Sequence, residues 1–314
     1  MPGTVALTGG TGFIGAHVAA WLMDAGRIVR LLVRRPPVHP LLAGRPFEVV
    51  IGGLGDRRAL DALVDGAESL VHVAGAVRAA SRSAFYAANA GPAGAIAEAA
   101  RKAGIRRAIL ISSLAAREPG LSDYAASKRA GEDAFARSIG EVPWLALRPT
   151  AVYGPWDTAT FAIFKAVRFG LAPVAWDRDA RLSFVHVADL ATAVEASLEG
   201  DETGVREVDD GSDEGYRWAD VIEAAAAAVG RPAVTLRIPD RVFRLAGHGA
   251  GFIGRAPILS AGKVSEMLHG DWRCRDRLDA GWRPRLRIRE GFVDTVAWYR
   301  RAGWLGPESG RIRG

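Results

Sequence analysis

Short aliphatic runs alternate with longer amphipathic stretches along the first half of the chain. The aliphatic runs are rich in Val, Ile and Leu, which is typical of buried strands: Val5–Thr8, Ile28–Val33, Phe47–Ile51, Ser69–Ala74, Ala108–Ser112 and Trp144–Leu147. The amphipathic stretches predict helices that each end near a glycine, at Phe13–Ala25, Asp56–Asp65, Ser83–Ala103 and Tyr124–Ile139. This alternation predicts an α/β fold, a Rossmann-type doubly wound parallel sheet with helices on both faces.

The pattern is less regular after Pro155. It predicts helices at Thr158–Phe169, Ala188–Glu199, Arg217–Val229 and Gly291–Tyr299, and strands at Phe184–Val187 and Val205–Val208. We therefore expect a first domain of residues 1–155, to which residues 182–210 return. Residues 156–181 and 211–314 are expected to form a smaller C-terminal α/β part.

Composition and charge exclude several classes of protein. The chain has 314 residues with a single cysteine, Cys274, so it has no intramolecular disulfide. None of its six histidines belongs to a metal-ligand pair, so no metal site is predicted. The formal charge of +6 comes mostly from scattered Arg, which argues against a nucleic-acid surface. We find no apolar stretch long enough to span a membrane and no leader, so we expect a cytoplasmic protein without a membrane partner.

A glycine-rich turn follows the first predicted strand and opens the first helix. It runs Thr8-Gly9-Gly10-Thr11-Gly12-Phe13-Ile14-Gly15. Gly9 allows the tight turn, Gly12 lets the backbone approach a diphosphate, and Gly15 lets helix and strand pack closely. The helix N-terminus then binds the anion. The first domain is therefore predicted to bind a dinucleotide. Residues 249–254 match the same pattern without a preceding strand, so we interpret them as a loop over the substrate.

The end of the second strand indicates which dinucleotide is bound. Enzymes that select NAD place Asp or Glu there to bind the ribose hydroxyls. Here Val33 is followed by Arg34 and Arg35, and the next carboxylate is Glu48. Guanidinium groups bind a 2′-phosphate well. NADP(H) is therefore favoured, with NAD(H) as the alternative.

Tyr124 and Lys128 lie four residues apart in a predicted helix, so they share one face. A nearby cation stabilises a phenolate, so we expect Lys128, together with a positively charged nicotinamide ring in a dry site, to lower the pKa of Tyr124. Tyr124 could then exchange a proton with a substrate oxygen while a hydride moves at carbon. Ser113 follows the fifth strand, at the edge where ligands bind, and could hold the same oxygen.

Several ordered blocks resemble the extended short-chain dehydrogenase/reductases, the NAD-dependent epimerase/dehydratase family. Besides the glycine turn and the Tyr-Lys pair they are His72-Val73-Ala74-Gly75, Asn89-Ala90-Gly91, Leu147-Arg148-Pro149-Thr150-Ala151-Val152-Tyr153-Gly154-Pro155 and Phe184-Val185-His186-Val187-Ala188-Asp189-Leu190. The resemblance implies a catalytic triad of Ser113, Tyr124 and Lys128 and makes neither His72 nor His186 catalytic. It implies cofactor contacts from Gly9, Thr11, Gly12, Phe13, Ile14, Gly15, Arg34, Arg35, Leu54, Ala74, Gly75, Tyr124, Lys128, Pro149 and Val152.

Some positions depart from the family pattern. Gly53 stands where many members have an Asp that contacts adenine, and no acidic residue follows Ser113 as in the sugar dehydratases. Ala151 replaces the Asn with which many nucleotide-sugar members meet the substrate diphosphate. The Val33-Arg34 pair resembles the NADPH-dependent dihydroflavonol and cinnamoyl reductase branch.

The sequence therefore predicts an oxidoreductase that moves a hydride between NADP(H) and a carbonyl or alcohol carbon of a small molecule. Apolar residues beside the motifs are the expected substrate contacts, namely Val77, Leu114, Trp156, Phe161 and Trp176. One alternative is a nucleotide-sugar epimerase with tightly bound NAD, and another is a dinucleotide-binding protein without catalysis. By analogy with the family, a homodimer could form through Ser83–Ala103 and Tyr124–Ile139.

Overall fold

A computed structural model describes residues 3–36, 39–175, 179–242 and 261–306 of the chain. Its central element is a parallel seven-stranded sheet in the order β11-β6-β5-β4-β1-β2-β3. The strands are β1 (Thr4–Thr8), β2 (Ile28–Val33), β3 (Glu48–Ile51), β4 (Ser69–His72), β5 (Arg107–Ile111), β6 (Trp144–Pro149) and β11 (Gly204–Val208). The predicted fold class is confirmed.

Helices cover both faces of this sheet, because its central strands are apolar on both sides. α1 (Phe13–Asp24) and α7 (Val187–Glu199) pack together on one face, around a core that includes Leu22, Leu31 and Val194. The other face is covered by α2 (Arg57–Val64), α4 (Gly91–Lys102) and α5 (Asp123–Ile139). α5 carries the Tyr-Lys pair, so the pair is attached to the rigid part of the fold.

The predicted single helix Ser83–Ala103 is wrong, because two helices occupy this stretch. α3 (Arg82–Asn89) ends before Ala90, and α4 begins at Gly91 with Pro92 in its first turn. Proline has no N–H and is tolerated at the start of a helix but not in its interior. The break also allows the buried Asn89 side chain to bond to the backbone of Ala76 and to Ser127.

Short paired strands and four helices build the rest of the described chain. β7 (Ala151–Tyr153) pairs with β10 (Phe184–His186), β8 (Leu171–Ala175) with β12 (Val234–Ile238), and β9 (Arg181–Leu182) with β13 (Asp271–Trp272). The helices here are α6 (Phe161–Arg168), α8 (Trp218–Val229), α9 (Ala261–Met267) and α10 (Ile288–Arg301). The sequence pattern predicted neither β7 nor strands β8, β9, β12 and β13, since each has at most five residues and becomes visible only through its partner.

A separate aromatic core holds this region together. Phe292 is fully buried and its ring contacts the rings of Tyr153, Phe164 and Phe184. These residues come from β7, α6 and β10, so Phe292 on α10 connects elements distant in sequence.

Two sequence expectations fall outside the described residues. They concern the loop of residues 249–254 and Trp176. Within the described residues, no helix combines the length and apolarity that a membrane span requires.

Replacing Phe292 with Ala tests the role of this aromatic core. Deleting a fully buried Phe removes its burial energy and leaves a cavity, so the free energy of unfolding should fall by about 3–5 kcal/mol. Urea unfolding measures the change. Its neighbour Val293 is 56% exposed and serves as control. Val293→Ala should change stability by less than about 0.5 kcal/mol, and equal effects of the two substitutions would contradict the assignment.

Candidate active site

The glycine turn brings strand β1, helix α1 and the end of β4 into close contact. Gly9 has a φ of 76°, and a Cβ there would lie 2.7 Å from the backbone N of Ala74. The Gly12 N–H donates to the Gly9 carbonyl at 3.0 Å, and a Cβ on Gly15 would collide with that carbonyl. Glycine is therefore required at position 9 for both conformation and space, and at position 15 for space.

The N-terminus of α1 is left without a side-chain cap. Helices α2, α3 and α5 are capped by Asp56, Ser81 and Ser122, whose side chains accept backbone N–H groups. Gly12, at the same position of α1, provides no such acceptor. The first N–H groups of a helix have no intrahelical partner, so those of α1 can bind an anion such as a diphosphate. This end of the structure fits a dinucleotide.

The predicted site residues follow the carboxyl ends of neighbouring parallel strands. Such ends meet at one edge of a parallel sheet, the edge at which α/β folds bind ligands. The positions are Gly9, Thr11, Gly12, Phe13, Ile14 and Gly15 after β1, Arg34 and Arg35 after β2, Leu54 after β3, Ala74 and Gly75 after β4, Ser113 after β5, Pro149 at the end of β6 and Val152 in β7, with Tyr124 and Lys128 on the first turns of α5.

Ser113, Tyr124 and Lys128 come together where α5 crosses the end of β5. The Ser113 hydroxyl lies close enough to the Tyr124 phenol to affect its pKa, and it accepts the Ala115 N–H at 3.2 Å. The Lys128 Nζ donates to the Ile111 carbonyl at 2.9 Å. This ammonium also faces Gly75, where a Cβ would lie 3.7 Å from Nζ.

Burial governs the ionisation of both groups on α5. It raises the pKa of Tyr124 to about 12, while the nearby Ser113 hydroxyl opposes the rise and the charge of Glu266 adds to it. Burial lowers the pKa of Lys128 to about 8, against the attraction of Glu132. Desolvation of the phenolate is thus the largest effect that the protein itself has on the pKa of Tyr124. The lowered pKa expected from the sequence counts also on the positive charge of a nicotinamide ring, in addition to Lys128.

A buried ion pair lies one turn of α5 beyond Lys128. Glu132, one turn further along α5, accepts two hydrogen bonds from Arg148, at 2.8 Å from Nε and 2.6 Å from the terminal nitrogen. Ser112 donates to the same carboxylate. Glu132 thereby joins α5 to the residue after β5 and to β6. The sequence analysis missed it, although Glu132 lies four residues after Lys128 and therefore on the same helical face.

Two further anchors hold the loop and the helix around the triad. Arg117, in the 3-10 turn Leu114–Arg117, donates to the Glu207 carboxylate and to the carbonyls of Asp271 and Arg273. On the other side, Glu266 of α9 is buried and accepts from Ser122, the N-cap of α5, at 2.5 Å. No sequence signal identified these contacts, because the partners are far apart in the chain.

Both histidines of the family blocks have structural partners. The ring of His72 is buried and its Nδ1 lies 2.7 Å from the Thr8 hydroxyl. Burial lowers the pKa of His72 to about 3, so the ring is neutral at physiological pH. His186 accepts the Ala188 N–H through Nδ1 and caps α7.

The expected substrate contacts are only partly gathered around Tyr124. Leu114 follows Ser113 directly but is buried, and Val77 is 72% exposed. Trp156 and Phe161 instead contact the aromatic rings of α10 and of Trp304. Phe85 of α3, which the sequence analysis did not single out, has its ring centroid 6.1 Å from that of Tyr124.

Comparisons with known proteins agree with this geometry. The model of the NAD dependent epimerase/dehydratase family matches residues 5–208. "Ceramide reductase" of Caulobacter vibrioides is 42% identical over 309 residues, which cover 96% of each chain. "Putative dihydroflavonol 4-reductase" of Synechocystis is 25% identical and covers 95% of each chain. The solved structure of gox2253 has a TM-score of 0.77 at 22% identity, covering 98% of this chain and all of its own.

The chain therefore belongs to the NAD dependent epimerase/dehydratase family. It is an NAD(P)-dependent oxidoreductase of the extended short-chain dehydrogenase/reductase type, and its relatives include proteins named reductases.

Replacing Glu132 with Ala tests whether the buried ion pair anchors α5. The change leaves the Arg148 guanidinium buried without its partner, so the free energy of unfolding should fall by about 3–5 kcal/mol. Replacing Arg148 with Met in the same variant should recover much of that loss. Chemical denaturation gives these values.

Glu98 provides a matched control for this experiment. It pairs with Arg57 and Lys102 at the surface, so Glu98→Ala should cost less than about 1 kcal/mol. A loss for Glu132→Ala no larger than that for Glu98→Ala would show that the buried pair does not anchor the helix.

Proposed function

We propose that this protein is a reductase that uses NADP(H) and a Ser113-Tyr124-Lys128 triad. The observation that supports the triad most directly is the proximity of Ser113 and Tyr124, one helical turn from Lys128 at the ligand-binding edge of the sheet. The cofactor contacts proposed are those from the glycine turn to Val152 given above.

In this proposal each residue has a separate task. The bound nicotinamide supplies the hydride to the carbonyl carbon. Tyr124 donates its proton to the carbonyl oxygen, and a pKa of about 12 keeps the phenol protonated at neutral pH. Ser113 donates a hydrogen bond to the same oxygen. Lys128 provides positive charge that favours the phenolate left after proton transfer.

For the substrate, we propose the ketone that corresponds to a ceramide alcohol. The relative named ceramide reductase is 42% identical over 96% of this chain. Ceramides are long-chain amides with a secondary alcohol, and a reductase forms a secondary alcohol from a ketone. The apolar Phe85 beside Tyr124 suits such a chain.

The domain organisation and assembly are also proposals. We propose that residues 1–155 and 182–210 bind the dinucleotide and that residues 156–181 and 211–314 contribute to the substrate side. We further propose a cytoplasmic location and a homodimer formed through the stretch Ser83–Ala103, which holds α3 and α4, and through α5.

Replacing Tyr124 with Phe tests the catalytic proposal. Removal of the proton donor should lower kcat for reduction of the long-chain keto-amide by about 10²–10⁴-fold. NADPH affinity should fall much less, because Tyr124 is one of many proposed cofactor contacts. Oxidation of NADPH followed by absorbance measures the rate, and fluorescence titration measures the affinity.

Tyr86→Phe is the control, because it also removes a phenol hydroxyl, here from a tyrosine that contacts Arg82. This variant should retain activity. Full activity of Tyr124→Phe would refute the triad. A purified protein that retains NAD and interconverts nucleotide sugars without net NADPH oxidation would support the epimerase alternative instead.

The preference for NADP(H) rests on the surroundings of Arg34 and Arg35. Both are exposed after β2 and make no hydrogen bond or ion pair with any other described residue. Strands β2 and β3 pair with Val33 opposite Ile51 and Arg30 opposite Glu48. Glu48 therefore lies toward the far end of the strands, where Arg30 donates to it at 2.5 Å. Among the residues that the structure describes, no carboxylate pairs with Arg34 or Arg35, which leaves both guanidinium groups available to a 2′-phosphate.

Replacing Arg34 with Ala should reduce the preference for NADPH over NADH. A charge-assisted hydrogen bond to a phosphate contributes about 1.5–3 kcal/mol, so the ratio of the two kcat/KM values should fall by about 10–100-fold. Arg137→Ala, at the exposed last turn of α5, is the control and should leave the ratio unchanged. An unchanged ratio for Arg34→Ala and for the double variant with Arg35→Ala would favour NAD(H).

A further inference from the structure

The small β8–β12 sheet has one face in the core and one face open. Ala172 and Val174 of β8 are buried in the aromatic core. Alternate residues point the other way, and the register pairs Val234 with Leu171 and Leu236 with Pro173. These four residues, Leu171, Pro173, Val234 and Leu236, form what we call the β8–β12 face.

The β8–β12 face is apolar and exposed. Leu171 and Leu236 are each 53% exposed and Val234 is 70% exposed. The residues that flank the strands in sequence are similar, since Phe169 is 73% and Val242 is 52% exposed. Single exposed apolar residues are ordinary, whereas a group on one face marks an interaction surface.

Basic residues outnumber acidic ones in the segments that form this face. The segments 161–175 and 231–242, which contain the two strands, carry one acidic residue, Asp240. They carry five basic residues, Lys165, Arg168, Arg231, Arg237 and Arg241. Arg237 is opposite Val174 in the register and so lies on the other side of the sheet, whereas Arg231 and Arg241 are exposed and flank β12. Within the described parts of the chain, none of these five forms a salt bridge. The surface therefore combines exposed hydrocarbon with uncompensated positive charge.

We propose that the β8–β12 face binds the surface of an anionic lipid bilayer. Anionic headgroups complement the arginines, and the acyl boundary accepts the Leu and Val side chains, so a bilayer satisfies both features at once. A second copy of the chain fits less well, because a two-fold contact would place the same basic residues opposite each other. Residues 243–260 also lack Asp and Glu, so they do not supply the missing negative charge.

This inference rests in part on the proposed function, because a substrate with two long chains resides in membranes. It also revises the expectation from the sequence that there is no membrane partner. That expectation considered spanning segments, whereas the β8–β12 face forms only when two strands distant in sequence pair.

Vesicle flotation with the full chain tests the proposal. The protein should float with vesicles of phosphatidylcholine mixed with phosphatidylglycerol, and much less with phosphatidylcholine alone. Leu236→Glu should reduce the bound fraction by about tenfold or more, because it removes one apolar anchor and adds a repelled charge. Arg241→Ala, at an exposed position after the end of β12, should reduce it by about fivefold. Val49→Glu, on an exposed position of the edge strand β3, is the matched control and should bind like the parent protein.

Several results would overturn the proposal. These are flotation that fails with both vesicle types, equal binding by Leu236→Glu and the parent, or a Leu236-dependent dimer without vesicle binding. An assay with a water-soluble ketone distinguishes this proposal from the catalytic one. The Leu236→Glu variant should reduce such a ketone with NADPH at the rate of the parent protein. Vesicle binding that persists in a protein unable to reduce any long-chain ketone would support the surface and reject the substrate.

Discussion

The attachment of α5 to the ends of β5 and β6 is the constraint on which the site depends. Lys128 donates to the Ile111 carbonyl, and Glu132 binds Ser112 and Arg148, so two successive turns of the helix are fixed to two neighbouring strands. Ser122 adds a contact with Glu266 at the start of the helix. Because the carboxylate and guanidinium of the ion pair are buried and mutually hydrogen-bonded, a displacement of the helix would leave charges unpaired in the interior. The position of Tyr124 is a consequence of these contacts.

Burial at this end of α5 also determines the protonation of Tyr124 and Lys128. Both the phenolate of Tyr124 and the ammonium of Lys128 lose hydration, which raises the pKa of the former and lowers that of the latter. The charge of Glu132 limits the decrease in the pKa of Lys128, and Ser113 partly offsets the increase in the pKa of Tyr124. The two residues are thus biased toward a neutral phenol, which is the form that donates a proton during reduction. In the direction of oxidation, additional positive charge near Tyr124 is needed to favour the phenolate.

The sequence predicted the central sheet, its flanking helices and the family, since each long element carries its own hydrophobic period and the glycine turn has a fixed relation to β1 and α1. It did not predict the break at Ala90, where Pro92 begins a new helix in an otherwise continuous apolar pattern. Strands β8 and β12 are short and far apart in sequence, so each is recognisable as a strand only through its pairing with the other. Arg117, Glu132 and Glu266 support the site through partners that only the folded chain brings near, and desolvation of Tyr124 is likewise a property of the fold.

A crystal structure of the protein with NADP⁺ and the long-chain alcohol measures the central claim most directly. Our account predicts the diphosphate at the N-terminus of α1, the 2′-phosphate at Arg34, and the Tyr124 hydroxyl within hydrogen-bonding distance of the substrate oxygen, next to the reactive carbon of the nicotinamide. A dinucleotide bound elsewhere, or a Tyr124 hydroxyl directed away from the nicotinamide and the substrate oxygen, would contradict it.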